Sequence, residues 1–183
     1  MKKQNVTLTP LTPDDREHFI TDNQWAFKYG AMQEFGMRDD HIDSDGEIIS
    51  QRTIEDTLDN PNSRAYRIML DKKIVGGLIL TIDEKTLHNH LEILFVLPEA
   101  HNRGIGFRAW QAVEALYPET RIWETCTPYF EKRNIHFYVN KCGFRIDQFW
   151  CEHFQPHRDV SDDSIPNPDD GIDEMFRFVK VMR

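Results

Sequence analysis

The stretch Val96-Leu97-Pro98-Glu99-Ala100-His101-Asn102-Arg103-Gly104-Ile105-Gly106 constrains this chain more than any other. An apolar, β-type run from Leu91 to Leu97 stops at a proline, a short turn follows, and two glycines one residue apart open a helical pattern. The first amides of a helix have no intrahelical acceptor and carry partial positive charge, so they attract anions, phosphates above all. Gly104 and Gly106 remove side chains that would hold a pyrophosphate away from those amides. Taken alone, the pattern is equally that of a glycine-softened strand-to-helix turn.

The surrounding elements read β-α-α-β-β-β-α-β-α-β-β. Val6 to Thr9 predicts a strand, and Thr12-Pro13-Asp14-Asp15 predicts a helix start with Thr12 as N-cap and Pro13 in the first position. That helix runs to about Phe35 with a break near Thr21 to Asn23. An acid-rich connection leads to a second helix from about Glu47 to Leu58. Strands follow at Ala65 to Leu70, Lys73 to Asp83 and His88 to Leu97, the first two joined by a turn at Asp71-Lys72. The helix from Gly104 to Leu116 would bury Ile105, Ala109, Ala112, Val113 and Leu116, and Pro118 stops it. Arg121 to Cys126 is a short buried strand, Thr127-Pro128 starts the next helix, and Gly143 terminates it. Phe144 to Phe154 and Met175 to Met182 close the sheet, separated by a long Asp-, Pro- and Ser-rich loop at 155–173. The expected class is α/β (α+β), a mixed, largely antiparallel sheet flanked by helices in one domain over 1–183.

Composition narrows the function. The 183 residues carry 31 acids against 22 bases, net −9, which argues against nucleic acid as the main partner, because phosphate binding needs a basic surface. An acidic surface suits a cationic acceptor and equally serves solubility. No apolar run is long enough to span a membrane and no secretory signal is visible, so no membrane partner and a cytoplasmic location are expected. Cys126, Cys142 and Cys151 form no Cys-x-x-Cys pair and read as reduced thiols.

His88, His90 and Glu92 alternate along one strand and so share a face. Three readings stay open: an ordinary polar face, a proton-accepting face, or a metal site with three ligands.

A second motif, Asn134-Ile135-His136-Phe137-Tyr138-Val139-Asn140-Lys141-Cys142-Gly143-Phe144, lies downstream. Together the two segments resemble the signatures of the GNAT N-acetyltransferase superfamily. The first is similar to its acetyl-CoA-binding pattern, Gln/Arg-x-x-Gly-x-Gly/Ala after a strand ending Val-x-Pro, with His101 where the family usually has Gln or Arg. The second is similar to its asparagine, tyrosine and Gly-Phe element. The resemblance is firm over Ile74 to Phe144 and in outline beyond.

The resemblance implies acetyl-CoA as acyl donor, with no metal. The diphosphate would lie on His101, Asn102, Arg103, Gly104, Ile105 and Gly106, with Arg103 adding charge. Pantetheine would pair with Leu94, Phe95 and Val96 on a splayed, bulged strand end, where an amide near Phe95 faces the acetyl oxygen, and Asn134 would bind the same arm. Tyr138 would protonate the departing thiolate, since a phenol with a pKa of ~10 keeps its proton at neutral pH. An acidic base is common four to six residues before the strand end, which makes Glu92 the first choice and His90 the second. The acceptor is expected to be a primary amine of a small molecule or peptide, attacking directly, since Cys126 and Cys142 have no evident paired base. Its walls would come from Trp25, Tyr29, Phe35, the Arg38 to Asp45 connection, Glu124 and the 155–173 loop. A homodimer is among the allowed assemblies. Rival readings are an acyl-CoA-binding sensor without turnover and a metal-binding protein using His88, His90 and Glu92.

Overall fold

A two-residue turn sets the register at the start of the sheet. Asp71 and Lys72 both take positive φ, 49° and 69°, the combination of the hairpin turn whose twist matches paired strands. It joins β2 (Ser63–Leu70) to β3 (Lys73–Thr81), with Leu70 opposite Lys73 and Ser63 opposite Thr81. The computed structural model describes residues 5–35, 46–151, 154 and 174–183. The expected walls at Phe35 and 38–45, and the 155–173 loop, lie outside the residues whose side chains it describes. Strands β1 (Val6–Pro10), β4 (His88–Val96), β5 (Ile122–Pro128), β6 (Arg145–Trp150) and β7 (Met175–Val181) complete a mixed sheet ordered β1-β2-β3-β4-β5-β7-β6. The chain divides into two compact parts, Met1–Ile82 with Leu91–Pro118, and Asp83–His90 with Glu119–Arg183.

In the first part, α1 (Arg16–Phe35) and α2 (Gln51–Asp59) cover the sheet with Phe19, Ile20, Ala26 and Ile54, which cluster with Ile79, Ile93, Phe95 and Leu97. Helix α1 is continuous, so the expected break at Thr21 to Asn23 is absent: Phe19, Ile20, Asn23 and Ala26 are all buried, a helical spacing that keeps one face packed through those residues. Thr12 makes no side-chain cap; Pro13–Asp15 is a 3-10 turn instead. Ser50 caps α2, accepting from the Thr53 amide at 3.1 Å, which is why that helix starts four residues later than expected. In α3 (Ile105–Leu116), Trp110 is buried and Leu116 is 49% exposed, a correction to the expected core face.

Gly76 and Gly77 allow β3 and β4 to approach. A Cβ on Gly76 would overlap the Phe95 carbonyl oxygen, and one on Gly77 would enter the rings of Phe19 and Phe95. Because backbone cannot rotate aside, Gly76→Ala is expected to cost about 1–3 kcal/mol, or roughly 2–4 °C in Tm per kcal/mol, checked by thermal melting.

Arg67, its side chain 4% exposed, is held by Asp15 at 2.6 and 3.0 Å and by Asp22 at 2.8 Å, over the Phe19 ring. Hydrogen bonds from Arg67 hold the Asp15 carboxyl below its ordinary range against the opposing effect of burial. A depressed folded-state pKa stabilises above the unfolded value of about 3.9 and is lost as pH falls through the folded value. Stability should therefore drop in acid, and Asp15→Asn should remove about 1–3 kcal/mol at neutral pH while flattening that acid limb, read from melts across pH.

In the second part, β5 pairs antiparallel with β7 from Ile122↔Val181 to Pro128↔Met175, and β7 pairs with β6. This overturns the expected helix start at Thr127-Pro128, since both residues are strand. The helix α4 (Lys132–His136) begins later and continues into a π-helical turn, Phe137–Cys142, closed by Gly143 at φ 79°. The last strands end at Trp150 and Val181, short of the expected Phe154 and Met182.

Candidate functional site

The loop ahead of α3 is built to leave amides uncommitted. The His101 amide donates to Pro98 O at 3.2 Å, whereas those of Asn102 to Gly106 engage no backbone acceptor among the described residues. Asn102 and Gly104 take left-handed φ of 62° and 66°, which turns the chain into the helix. The side chain of His101 donates from Nε2 to Val96 O at 2.8 Å, and its ring meets Tyr29 edge-on. His101 thus ties the loop to the end of β4 rather than reaching outward. Arg108, which sequence reasoning passed over, donates to Arg103 O at 2.6 Å, while Arg103 is exposed. The signal for Arg108 was its place one turn into the helix, where a guanidinium folds back over the loop.

Strand β4 alternates as expected: Asn89, Leu91, Ile93 and Phe95 are buried, while His88, His90, Glu92, Leu94 and Val96 are half-buried. Its parallel ladder with β5 runs from His88↔Ile122 to His90↔Glu124 and no later pair continues it. Leu97 N donates to Val75 O on β3, so alternation turns the amides of Phe95 toward β3 and those of Leu94 and Val96 toward the opposite edge.

The second part carries two chemistries on the two faces of β5. Thr125 and Thr127 lie on the buried face; Thr125 hydrogen-bonds the Tyr138 hydroxyl oxygen, and Thr127 accepts from Asn134 Nδ2 at 3.3 Å. Tyr138 is 8% exposed, packed against Phe137, Phe144 and Phe178. Burial pushes its phenol well above the ordinary value, so the group stays protonated.

The other face carries Glu124, 7% exposed. Arg177 on β7 grips both its oxygens at 2.6 Å and also pairs with Asp147, and His88 Nε2 lies 2.9 Å from Oε2. His90, in register with Glu124, stacks on His88 with ring centroids 5.2 Å apart and planes 12° from parallel. Burial would raise the Glu124 carboxyl; hydrogen bonds and charge from Arg177, with contributions from His90 and His88, outweigh it and hold it below its usual range.

The acid brought to His88 and His90 is Glu124, not Glu92, with ligand-type atoms of the three within 4.8 Å of one another. This corrects the ligand set considered from sequence. A divalent cation there would face a guanidinium already seated on both carboxylate oxygens, and like charges repel. Hydrogen bonding and ion pairing hold these groups together as they stand. Trp25, 49% exposed, and Tyr29 lie ring to ring on α1. No helix among the described residues is long and apolar enough to cross a membrane.

Comparison with known proteins agrees with this architecture. Residues 24–144 match the acetyltransferase (GNAT) family model. The uncharacterized protein YrkN of Bacillus subtilis (strain 168) is 42% identical over 189 residues, covering 100% of this chain and 98% of that one. An acetyltransferase from Thermus thermophilus superimposes with a TM-score of 0.65 at 17% identity, covering 97% of each chain. The PaiA N-acetyltransferase from Thermoplasma acidophilum, solved with coenzyme A, gives 0.62 at 14% identity over 97% of this chain and 99% of its own. The chain belongs to the acetyltransferase (GNAT) family. Acetyl transfer is the general chemistry that membership supports.

Proposed function

We propose that this protein is an acetyl-CoA-dependent N-acetyltransferase acting as a single cytoplasmic domain. It transfers the acetyl group directly to a primary amine of a small molecule or peptide. The observation that carries the reading is the run of uncommitted amides from Asn102 to Gly106 at the start of α3. Such amides, with the helix dipole behind them, suit a diphosphate. Arg103 and Arg108 add positive charge, and the Leu94 and Val96 amides suit the amide groups of pantetheine as an added strand would. The nitrogen acceptor is supported by the Thermoplasma protein of the same fold, which is an N-acetyltransferase.

Three demands must be met: the ammonium must lose a proton, the carbonyl must be polarised as charge builds on its oxygen, and the thiolate must be protonated. Tyr138, kept neutral by burial, serves as the acid. Backbone amides of β4 serve the oxygen. The proton acceptor belongs to the half-buried face of β4, where Glu92 and His90 are the candidates. The test is a panel of amines with acetyl-CoA, followed by release of free thiol. Thiol release with an acetylated amine as product supports the reading; coenzyme A binding without turnover on any amine favours the sensor alternative.

A further inference from the structure

Glu124 is an expensive residue for a sheet to bury. A carboxylate at 7% exposure needs its charge answered, and a well-packed apolar side chain often serves stability as well. Here it is answered completely: Arg177 holds both oxygens, and His88 adds a third hydrogen bond at 2.9 Å. An ionised carboxylate only accepts, so this bond fixes the His88 tautomer with its proton on Nε2. His88 then presents a flat ring for His90 to stack on, and His90 stands in cross-strand register with Glu124. The arrangement runs from Arg177 through Glu124 and His88 to His90, and it ends on an imidazole that is half-buried and not fully enclosed.

We infer that Glu124, clamped by Arg177, is a positioning residue for the His88–His90 pair, and that His90 is the group that takes the proton of the acceptor amine. The inference rests on the acetyl-transfer reading and settles its base. The ammonium N–H bond breaks and its proton passes, through one bridging water, to a ring nitrogen of His90. The freed lone pair forms the bond to the thioester carbon, the C–S bond breaks, Tyr138 protonates the sulfur, and the second proton lost by the nitrogen as it becomes an amide restores the Tyr138 hydroxyl through water. The His90 imidazolium afterwards returns its proton to solvent. While it exists, its charge is opposed by a fixed anion across the ladder, the role an acid plays behind a catalytic histidine. The opposite faces of β5 suit this division, with the Tyr138 hydroxyl bonded on the Thr125 side and the imidazoles beside Glu124 on the other.

The experiment compares His90→Gln, Glu124→Gln, Arg177→Lys and Glu92→Gln on the best alkylamine of the panel and on its β,β-difluorinated analogue, assayed above that analogue's lowered ammonium pKa so that it is largely unprotonated. His90→Gln should lower kcat/KM for the alkylamine by about 10²-fold or more, the scale of general base catalysis, and Glu124→Gln by about tenfold or more. Arg177→Lys, which keeps the charge but loses the two-point grip, should fall between wild type and Glu124→Gln. The double variant His90→Gln/Glu124→Gln should be no worse than His90→Gln alone. All these losses should shrink by at least about tenfold on the fluorinated amine, with KM for acetyl-CoA unchanged. Equal losses on both amines, additive losses in the double variant, or an amine-dependent loss confined to Glu92→Gln would overturn the assignment.

A measurement independent of turnover separates this idea from the function itself. Nitrogen-15 NMR of the imidazoles should show His88 as the Nε2–H tautomer in the wild type and not in Glu124→Gln. An Nδ1–H tautomer in the wild type, or stoichiometric zinc capturing both imidazoles, overturns the positioning role whether or not an acceptor is found. A fixed Nε2–H tautomer in a protein that acetylates no amine upholds the positioning and removes the acetyl-transfer reading instead.

Discussion

Tyr138→Phe is expected to lower turnover by about 10²–10⁴-fold, the usual weight of a positioned general acid, while acetyl-CoA affinity and melting temperature change little. The ring stays among Phe137, Phe144 and Phe178, so packing is preserved, and the lost hydroxyl forfeits one hydrogen bond to Thr125, worth about 1 kcal/mol. Under the proposed role the two consequences separate, because the hydroxyl stabilises the fold weakly and would stabilise the leaving thiolate strongly. Burial holds the phenol proton in place through the neutral range, so ionisation of Tyr138 imposes no basic limb there. Stopped assays with acetyl-CoA, beside calorimetry and a melt, decide it. A large drop in stability with turnover intact would make Tyr138 a packing residue.

Gly104→Glu is expected to weaken coenzyme A binding by about 10²-fold or more. Unit charges of like sign 4 Å apart near a protein surface repel by about 4 kcal/mol, and a carboxylate at this position would face the diphosphate. Gly104 has open space around its Cα but sits at φ 66°, which strains any L side chain. Gly104→Ala carries that strain without the charge, so the difference between the two variants isolates the electrostatic part. Calorimetric titration giving equal affinities for both variants removes the diphosphate from this loop.

Both residues were legible in the sequence because their signals are local. Glycine spacing after a strand, an asparagine one turn before a tyrosine, and apolar alternation in β4 are each patterns confined to a short stretch of chain. The hairpin at Asp71-Lys72 was legible for the same reason. What the sequence hid came from pairing across the chain. Thr127-Pro128 has the chemistry of a helix start, yet β7 extends β5 through both residues, and tertiary pairing prevails over a weak local preference. Glu124 could be named as an acid near the site, but its partner Arg177 is 53 residues further on, and only the fold joins them. Glu92 drew the attention because it shares a strand with the two histidines, whereas the carboxylate that meets His88 comes from the neighbouring strand in parallel register. A strand pattern tells which residues share a face, not which residue stands opposite.

Because successive side chains of β5 point to opposite faces, a saturation scan along Trp123 to Thr127 should score with a period of two. Changes at Thr125 and Thr127 should register as defects on the donor side, in the steps that involve the thioester. Changes at Glu124 and Cys126 should register as shifts in which amines are accepted. That result would place donor recognition and acceptor preference on interleaved positions of a single seven-residue segment. Such interleaving would let a lineage exchange acceptors by substituting alternate residues while the machinery for the acyl donor stayed unchanged.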